Sequence, residues 1–271
     1  MNYQTLEVTL AEGVVTVTLN RPDKANAMNL AMWQELRTAF RWVDETPQAR
    51  VAILAGAGRA FCSGIDLALL GGLAPQLQQA GCEGRAGESL RRLILDLQDC
   101  LTSIERCRKP VLAAIHGACI GGGVDLVACC DMRYASSEAR FAIKEIDMGM
   151  TADVGTLQRL PKLVPSGIVR ELAYTGRVVE PAEARAIGLV ERVWETPAEL
   201  AAGVRALAAS IAAKSPLAVR GTKAMLLHAR DHSVAEGLEH VASWNAAMLL
   251  SADLGEAMAA AAQRRTPVFR D

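Results

Sequence analysis

Three consecutive glycines, Gly121 to Gly123, follow the apolar run Val111–Ile115 and open a second apolar run holding Asp125 among Val124, Leu126 and Val127. An apolar strand, a glycine turn and an apolar helix in that order require backbone to pass very close to backbone. They also leave free N–H groups at a positive helix end. Two more acids, Glu145 and Asp153, lie downstream in the stretch K-E-I-D-M-G-M-T-A-D-V-G-T-L-Q-R-L-P. Donors at a glycine turn beside carboxylates suit chemistry that develops an oxyanion while a proton moves.

Each feature also has a plainer explanation. A glycine triplet can serve helix–strand packing alone. Asp125 and Asp153 each lie near an expected helix start, where acids favour the dipole without any function. Glu145 could pair with a surface cation, and its pattern is not separable from that of Asp147. A carboxylate buried among the neighbours of Asp125, however, costs several kcal/mol unless it is hydrogen-bonded, paired or protonated. His116 reads as a hydrogen-bonded turn residue, and no nucleophile elbow occurs to make a triad. The glycines lack both G-x-G-x-x-G spacing and a G-K-[ST] sequel, so no nucleotide loop is indicated.

The rest of the chain supplies an α/β frame. Leu6 to Leu10 and Val14 to Leu19 alternate about Glu12-Gly13 as a hairpin. Asn29 can cap a helix with the apolar stripe Trp33, Leu36, Phe40 and Val43, and Val51 to Leu54 completes a βαβ unit. Residues 71–86, rich in glycine, read as a mobile loop over a binding turn. A strongly periodic helix follows through Leu90, Leu93, Ile94, Leu97, Leu101 and Ile104, and short strands are expected at 132–135 and 140–143. Beyond Pro161 helices dominate, with Ser215-Pro216 as a cap and Ser233 and Glu236 as a capping box. The expected division is a core over 1–200 and a helical region over 201–271.

Composition excludes several classes. Lys plus Arg number 29 against 30 Asp plus Glu, a net charge of −1, so neither a nucleic-acid surface nor a polybasic membrane anchor is indicated. A hydrophobic share of 51% can fill a large core, yet no run of about 18 apolar residues could span a membrane. The seven cysteines include no C-x-x-C pair and no histidine at ligand spacing, which speaks against a metal. Free thiols and the want of a signal-peptide pattern or peroxisomal tripeptide point to a cytoplasmic protein.

The runs N-R-P-D-K-A-N-A-M (20–28), F-C-S-G-I-D-L (61–67), H-G-A-C-I-G-G-G-V-D-L (116–126) and C-D-M-R-Y (130–134) resemble the crotonase, or enoyl-CoA hydratase/isomerase, superfamily. The resemblance covers nearly the whole chain. It implies a spiral of ββα units with a C-terminal helical part that builds trimers and a homohexamer. It further implies an acyl-CoA thioester substrate and no separate cofactor, coenzyme A being part of that substrate. The implied coenzyme A contacts are Ala25, Ala27, Ser63, Gly64, Ile65, Asp66, Leu67 and Gly122, and the amides of Ile65 and Gly122 form the oxyanion hole. The segments 144–161 and R-D-H-S-V (230–234) are similar to the Δ3,5-Δ2,4-dienoyl-CoA isomerase branch, which acts in fatty-acid β-oxidation. Hydratases carry glutamate at the position of Asp125 and no acid at that of Asp153. The resemblance therefore implies Glu145 and Asp153 as the proton-transfer pair, Glu145 as base at C2 and Asp153 as acid at C6, with Asp125 tuning them. The rival activities on this scaffold are enoyl-CoA hydration and Δ3-Δ2-enoyl-CoA isomerisation. A non-catalytic scaffold or RNA-binding member is more distant.

Overall fold

The computed structural model of the chain describes residues 2–271, with side chains described at all of these except 74 and 76–78. Strands β1 (Leu6–Ala11) and β2 (Val14–Leu19) pair antiparallel, with Ala11 opposite Val14. Glu12 and Gly13 turn the hairpin, both at positive φ (53° and 79°), the geometry whose twist matches that of the strands. Helix α1 (Leu30–Glu45) starts where the Asn29 side chain accepts the Met32 N–H at 3.0 Å, and it buries Trp33, Leu36, Phe40 and Val43. Strand β3 (Val51–Gly56) then lies parallel to β2.

The next two helices overturn one expectation. Residues 71–86 are largely helical: α2 spans Leu67–Gln78 and α3 spans Glu83–Arg106. Glycine content lowers helix propensity by only about 1 kcal/mol per residue. Here tertiary contact offsets it: α2 lies against α3, and Leu69 packs against the main core.

The chain then repeats one turn, a strand of the main sheet, a short strand and a helix. Strand β4 (Val111–Ile115) is followed by β5 (Ala118–Ile120) and α4 (Gly122–Ala128). Strand β6 (Met132–Ser136) is followed by β7 (Arg140–Ala142) and, after a loop, the single turn α5 (Thr156–Arg159). After α6 (Ser166–Thr175) and α7 (Pro181–Ala186), β8 (Arg192–Trp194) completes a six-stranded sheet of order β1-β2-β3-β4-β6-β8, parallel from β2 onward. The short strands form their own layer: β5 pairs with β7, and single bridges extend it to Cys62 and Val179. This is the expected α/β spiral of ββα units.

Parallel strands covered on both faces read as unbroken apolar runs, and V-A-I-L and V-L-A-A-I do so. Ala52, Leu54, Ala113 and Ile115 face the main core beneath α1, α3 and α4. Val51, Ile53, Leu112 and Ala114 face α8 (Pro197–Ala212), which buries Leu200, Val204 and Ala208 against them. The expected boundary at residue 200 thus falls inside a helix that covers the sheet, so the outer helical layer starts with α9 (Pro216–Asp231). Helices α10 (Val234–Met248) and α11 (Ala252–Ala262) follow. Ser215 caps α9, Ser233 and Glu236 form the capping box of α10, and the Trp244 indole lies over Gly221. Among the described residues, no helix is long and apolar enough to cross a membrane.

Candidate active site

A cavity of about 720 Å³ opens between α2, α3 and the layer of β5 and α4. Its apolar wall includes Leu69, Leu73, Leu90, Leu93, Ile94 and Leu97. The opposite wall carries Ile65, Gly121, Gly122, Asp125, Glu145 and Asp153.

Each glycine of the triplet has its own reason to lack a side chain. Gly121 has φ 51°, and a Cβ there would lie 3.0 Å from Glu145 Oε1. One on Gly122 would meet Met28 Cε at 2.5 Å, and one on Gly123 would meet the Cys62 carbonyl oxygen at 2.8 Å. Close packing therefore explains Gly122 and Gly123, whereas Gly121 keeps clear of a carboxylate on the cavity wall.

Two N–H groups at this wall have no acceptor among the described residues. Met28 brackets Ile65: its N–H donates to the Gly64 carbonyl at 2.8 Å, and its carbonyl accepts from Asp66 at 3.0 Å. The Ile65 N–H between them stays free. Gly122 begins α4, so its amide has no intrahelical partner. Gly64 turns at φ 97°, and a Cβ on it would lie 3.5 Å from the Gly122 nitrogen, so the two segments abut.

The three carboxylates differ in their surroundings. Asp125 is completely buried, and its Oδ1 accepts the Thr156 N–H at 2.6 Å while Oδ2 has no partner. Burial, with the nearby charges of Glu145 and Asp153, pushes its carboxyl up to about 7 against the lowering pull of Thr156. Burial likewise raises Glu145, aided by Asp153, and its Oε2 is buried without a partner. Asp153 sits on the cavity wall ahead of α5, and partial burial raises its carboxyl too. Three acids on one wall disfavour full ionisation, and Asp125, the most deeply buried of them, is the one raised to about 7. The ambiguity between Glu145 and Asp147 is resolved: Asp147 pairs with Lys144 at 2.6 Å and is exposed. His116 Nε2 sits 2.9 Å from the Gly58 carbonyl oxygen, a structural contact.

Of the expected coenzyme A contacts, Ala27, Ser63, Ile65, Asp66, Leu67 and Gly122 line the cavity. Ala25 and Gly64 do not: Ala25 instead accepts the Ser63 N–H at 3.0 Å, and Gly64 makes the turn. Asp66 is tied to Arg21 at 2.9 Å, a bond that holds its carboxyl below the usual range.

Sequence reasoning missed Asn26. This fully buried residue at φ 56° accepts the Arg21 N–H and donates to the carbonyls of Ala57 and Ala60 at 2.9 and 2.8 Å. It fastens the 20–28 loop to the segment that presents Ile65. The available signal was an asparagine in a Pro-Asp loop, a residue that tolerates left-handed backbone.

The sequence profile of the enoyl-CoA hydratase/isomerase family matches residues 9–271. The chain is 48% identical to the Δ3,5-Δ2,4-dienoyl-CoA isomerase of Arabidopsis thaliana, named peroxisomal, over 99% of this chain and 98% of that protein. It is 46% identical to the human Δ3,5-Δ2,4-dienoyl-CoA isomerase, named mitochondrial, over 97% of this chain and 81% of that one. A crystal structure of a putative enoyl-CoA hydratase from Streptomyces coelicolor superposes with a TM-score of 0.90 at 31% identity, covering 99% of this chain and 95% of that one. The peroxisomal and mitochondrial relatives overturn the expectation of a cytoplasmic protein. Unpaired thiols report a reducing environment, and they do not choose among the compartments that provide one. With the profile and the superposition both spanning almost the entire length, the chain belongs to the enoyl-CoA hydratase/isomerase family.

Proposed function

We propose that the protein is a dienoyl-CoA isomerase that converts 3,5-dienoyl-CoA to 2,4-dienoyl-CoA in fatty-acid β-oxidation. The observation that carries the reading is the third acid: Asp153 shares the cavity wall with Glu145 and Asp125, opposite an apolar wall suited to an acyl chain. Identities of 48% and 46% to relatives named for that activity support it. Coenzyme A lies along Ser63 to Leu67, and the thioester oxygen accepts from the Ile65 and Gly122 amides.

Glu145 takes a proton from C2, and the negative charge spreads from the thioester oxygen along the conjugated chain to C6. The two free amides stabilise that oxygen as charge develops on it, a role in which one donor is worth roughly 10²- to 10³-fold in rate. Asp153 then delivers a proton to C6, leaving double bonds at C2 and C4. C2 and C6 are too far apart for one short carboxylate to serve both, so each has its own acid. Raised carboxyls fit both tasks, since a base must pick up a proton and an acid must hold one near neutral pH. Asp125 tunes the pair by its charge state. The transfer needs no cofactor beyond the coenzyme A of the substrate. The helical layer after α8 carries the contacts of a hexamer made of two trimers.

Product analysis with a 3,5-dienoyl-CoA tests the reading, together with Asp153→Asn and Glu145→Gln in deuterated water. Either variant should lose about 10²- to 10⁴-fold in turnover, with little change in apparent substrate affinity. Exchange at C2 should persist without Asp153 and vanish without Glu145. Loss of C2 exchange in Asp153→Asn alone would exchange the two roles. A native protein that makes no 2,4-dienoyl product would leave hydration or single-bond isomerisation as the function, and an Asp153→Asn variant that isomerises normally would remove Asp153 as the C6 acid.

A further inference from the structure

The segment from Asp153 to Arg159 is gripped from α3 by a polar stripe on the face next to its apolar one. Gln98 Nε2 donates to the Asp153 carbonyl at 2.6 Å. One turn on, Thr102 Oγ1 accepts from Arg159 Nη2 at 3.1 Å, and a turn further Glu105 accepts from Arg159 Nε at 3.1 Å and Nη2 at 3.3 Å. The Arg159 guanidinium folds back over Gly155, where a Cβ would lie only 1.9 Å from Nη1. A third partner comes from α9: Arg230 donates to the same Glu105 carboxylate. The R-D-H-S-V run of the sequence thereby acquires a place, since Asp231 holds Arg230 at 3.1 Å and Lys162 at 3.2 Å.

We propose that Arg159, clamped by Glu105 and Thr102, is a positioning residue that fixes the loop bearing Asp153 against α3. The inference rests on the isomerase reading of Asp153. Glu105 and Arg159 keep only 14% and 13% of their side chains exposed, so their pairing is screened far less than a surface pair. Burial alone would raise the Glu105 carboxyl, but its bonds to Arg159 and Arg230 outweigh that and hold it below the usual range. Gly155, at φ 135°, is the one residue that can both make the turn and admit the guanidinium. Glu145 lies outside this clamp: it follows β7, and no side chain of the stripe bonds to it. The device therefore holds the C6 acid directly and reaches the C2 base only through the charge of Asp153.

The test compares Arg159→Met, Arg159→Lys and Gln98→Met in the full-length protein, with Asp153→Asn run alongside. Arg159→Met should lower turnover to the 2,4-dienoyl product by roughly 10- to 10²-fold, the scale of a small misplacement of a reacting group. KM and the rate of C2 exchange in deuterated water should stay within about twofold, because neither needs the proton that Asp153 delivers. Arg159→Lys keeps the charge without the fork and should fall between the two. Should Arg159→Met fail to fold by circular dichroism, Gln98→Met carries the same expectation, since it removes only a bond to the Asp153 carbonyl. Normal isomerisation in the folded variants, or C2 exchange falling in step with isomerisation, would overturn the positioning role. If that occurs while Asp153→Asn is inactive, the C6-acid role of Asp153 stands alone; an Asp153→Asn variant that isomerises normally removes both.

Discussion

Gly121 shows how one position can be constrained twice, by its own backbone and by a neighbour's carboxylate. Its φ of 51° with ψ of −117° belongs to glycine, and a methyl group would press on Glu145 Oε1. Gly121→Ala should therefore cost about 1–3 kcal/mol of stability through strain. It should also lower turnover by about tenfold or more, by displacing the base. Denaturant unfolding and single-turnover kinetics check the two effects separately, and a normal rate in a destabilised protein would show that Glu145 tolerates the shift. Asp125 yields a prediction in pH. Its folded carboxyl titrates at about 7, above the ordinary 3.8, so between these values the folded state holds a proton that the unfolded chain releases. Stability from this group is complete below about pH 4 and is lost as pH rises through 7. At about 1.4 kcal/mol per unit the loss reaches about 4 kcal/mol. Asn at this position can still accept the Thr156 N–H but does not titrate. The advantage of Asp125→Asn over the native protein should accordingly grow between about pH 4 and pH 8 in urea unfolding. Parallel stability curves would contradict a titrating, buried Asp125.

At the scale of elements, α3 shows both the reach and the limit of pattern reading. Its 3.6-residue period is plain in the sequence, and Leu97, Leu101 and Ile104 are buried as the period requires. The period could not say that Leu90, Leu93 and Ile94 on the same stripe would face a cavity, because an apolar wall and an apolar core look alike until a partner is placed. Strand β8 escaped notice for another reason: three residues are too few to show a period, and only pairing with β6 makes them a strand. The glycine triplet and the three acids were legible as chemistry, whereas the partner of each required the spiral to bring distant segments together. Helix α9 depends on one such long-range contact. Lys223, only 5% exposed, donates to Asp131 Oδ2 at 2.6 Å and to the Lys109 carbonyl at 3.1 Å. Asp131 in turn accepts the Val111 N–H at 2.7 Å, at the start of the central strand β4. Lys223→Met leaves a carboxylate that is only 23% exposed without its cation and should destabilise by about 2–3 kcal/mol, below the roughly 3–5 kcal/mol of a fully buried pair. Adding Asp131→Asn should recover much of that loss, because the uncompensated charge goes while an acceptor for Val111 remains. A double variant no more stable than Lys223→Met would mean that the lysine acts by packing alone.

The whole molecule poses the question of where its remaining apolar surface goes. Large exposed apolar side chains concentrate in the helices after α8: Val234 is 81% exposed, Leu238 63%, Leu250 94% and Met258 67%. Val234 and Leu238 are one helical turn apart and so share a face of α10. On the same helix Trp244 turns inward onto Gly221, while Met248 and the following Leu249 stay exposed. Single exposed apolar residues are ordinary, but several on consecutive helices are what a protein–protein contact would cover. The proposed hexamer accounts for it, and sedimentation at micromolar protein should give a species near six times 28.9 kDa. Leu238→Glu places a charge on the face shared with Val234. Burying that charge without a partner costs several kcal/mol, so the variant should sediment as smaller species. Its protomer should stay folded, because Leu238 makes no part of the monomer's core. Circular dichroism on the same samples separates dissociation from unfolding. A native protein that sediments as a monomer would show that these side chains are not covered by copies of this chain.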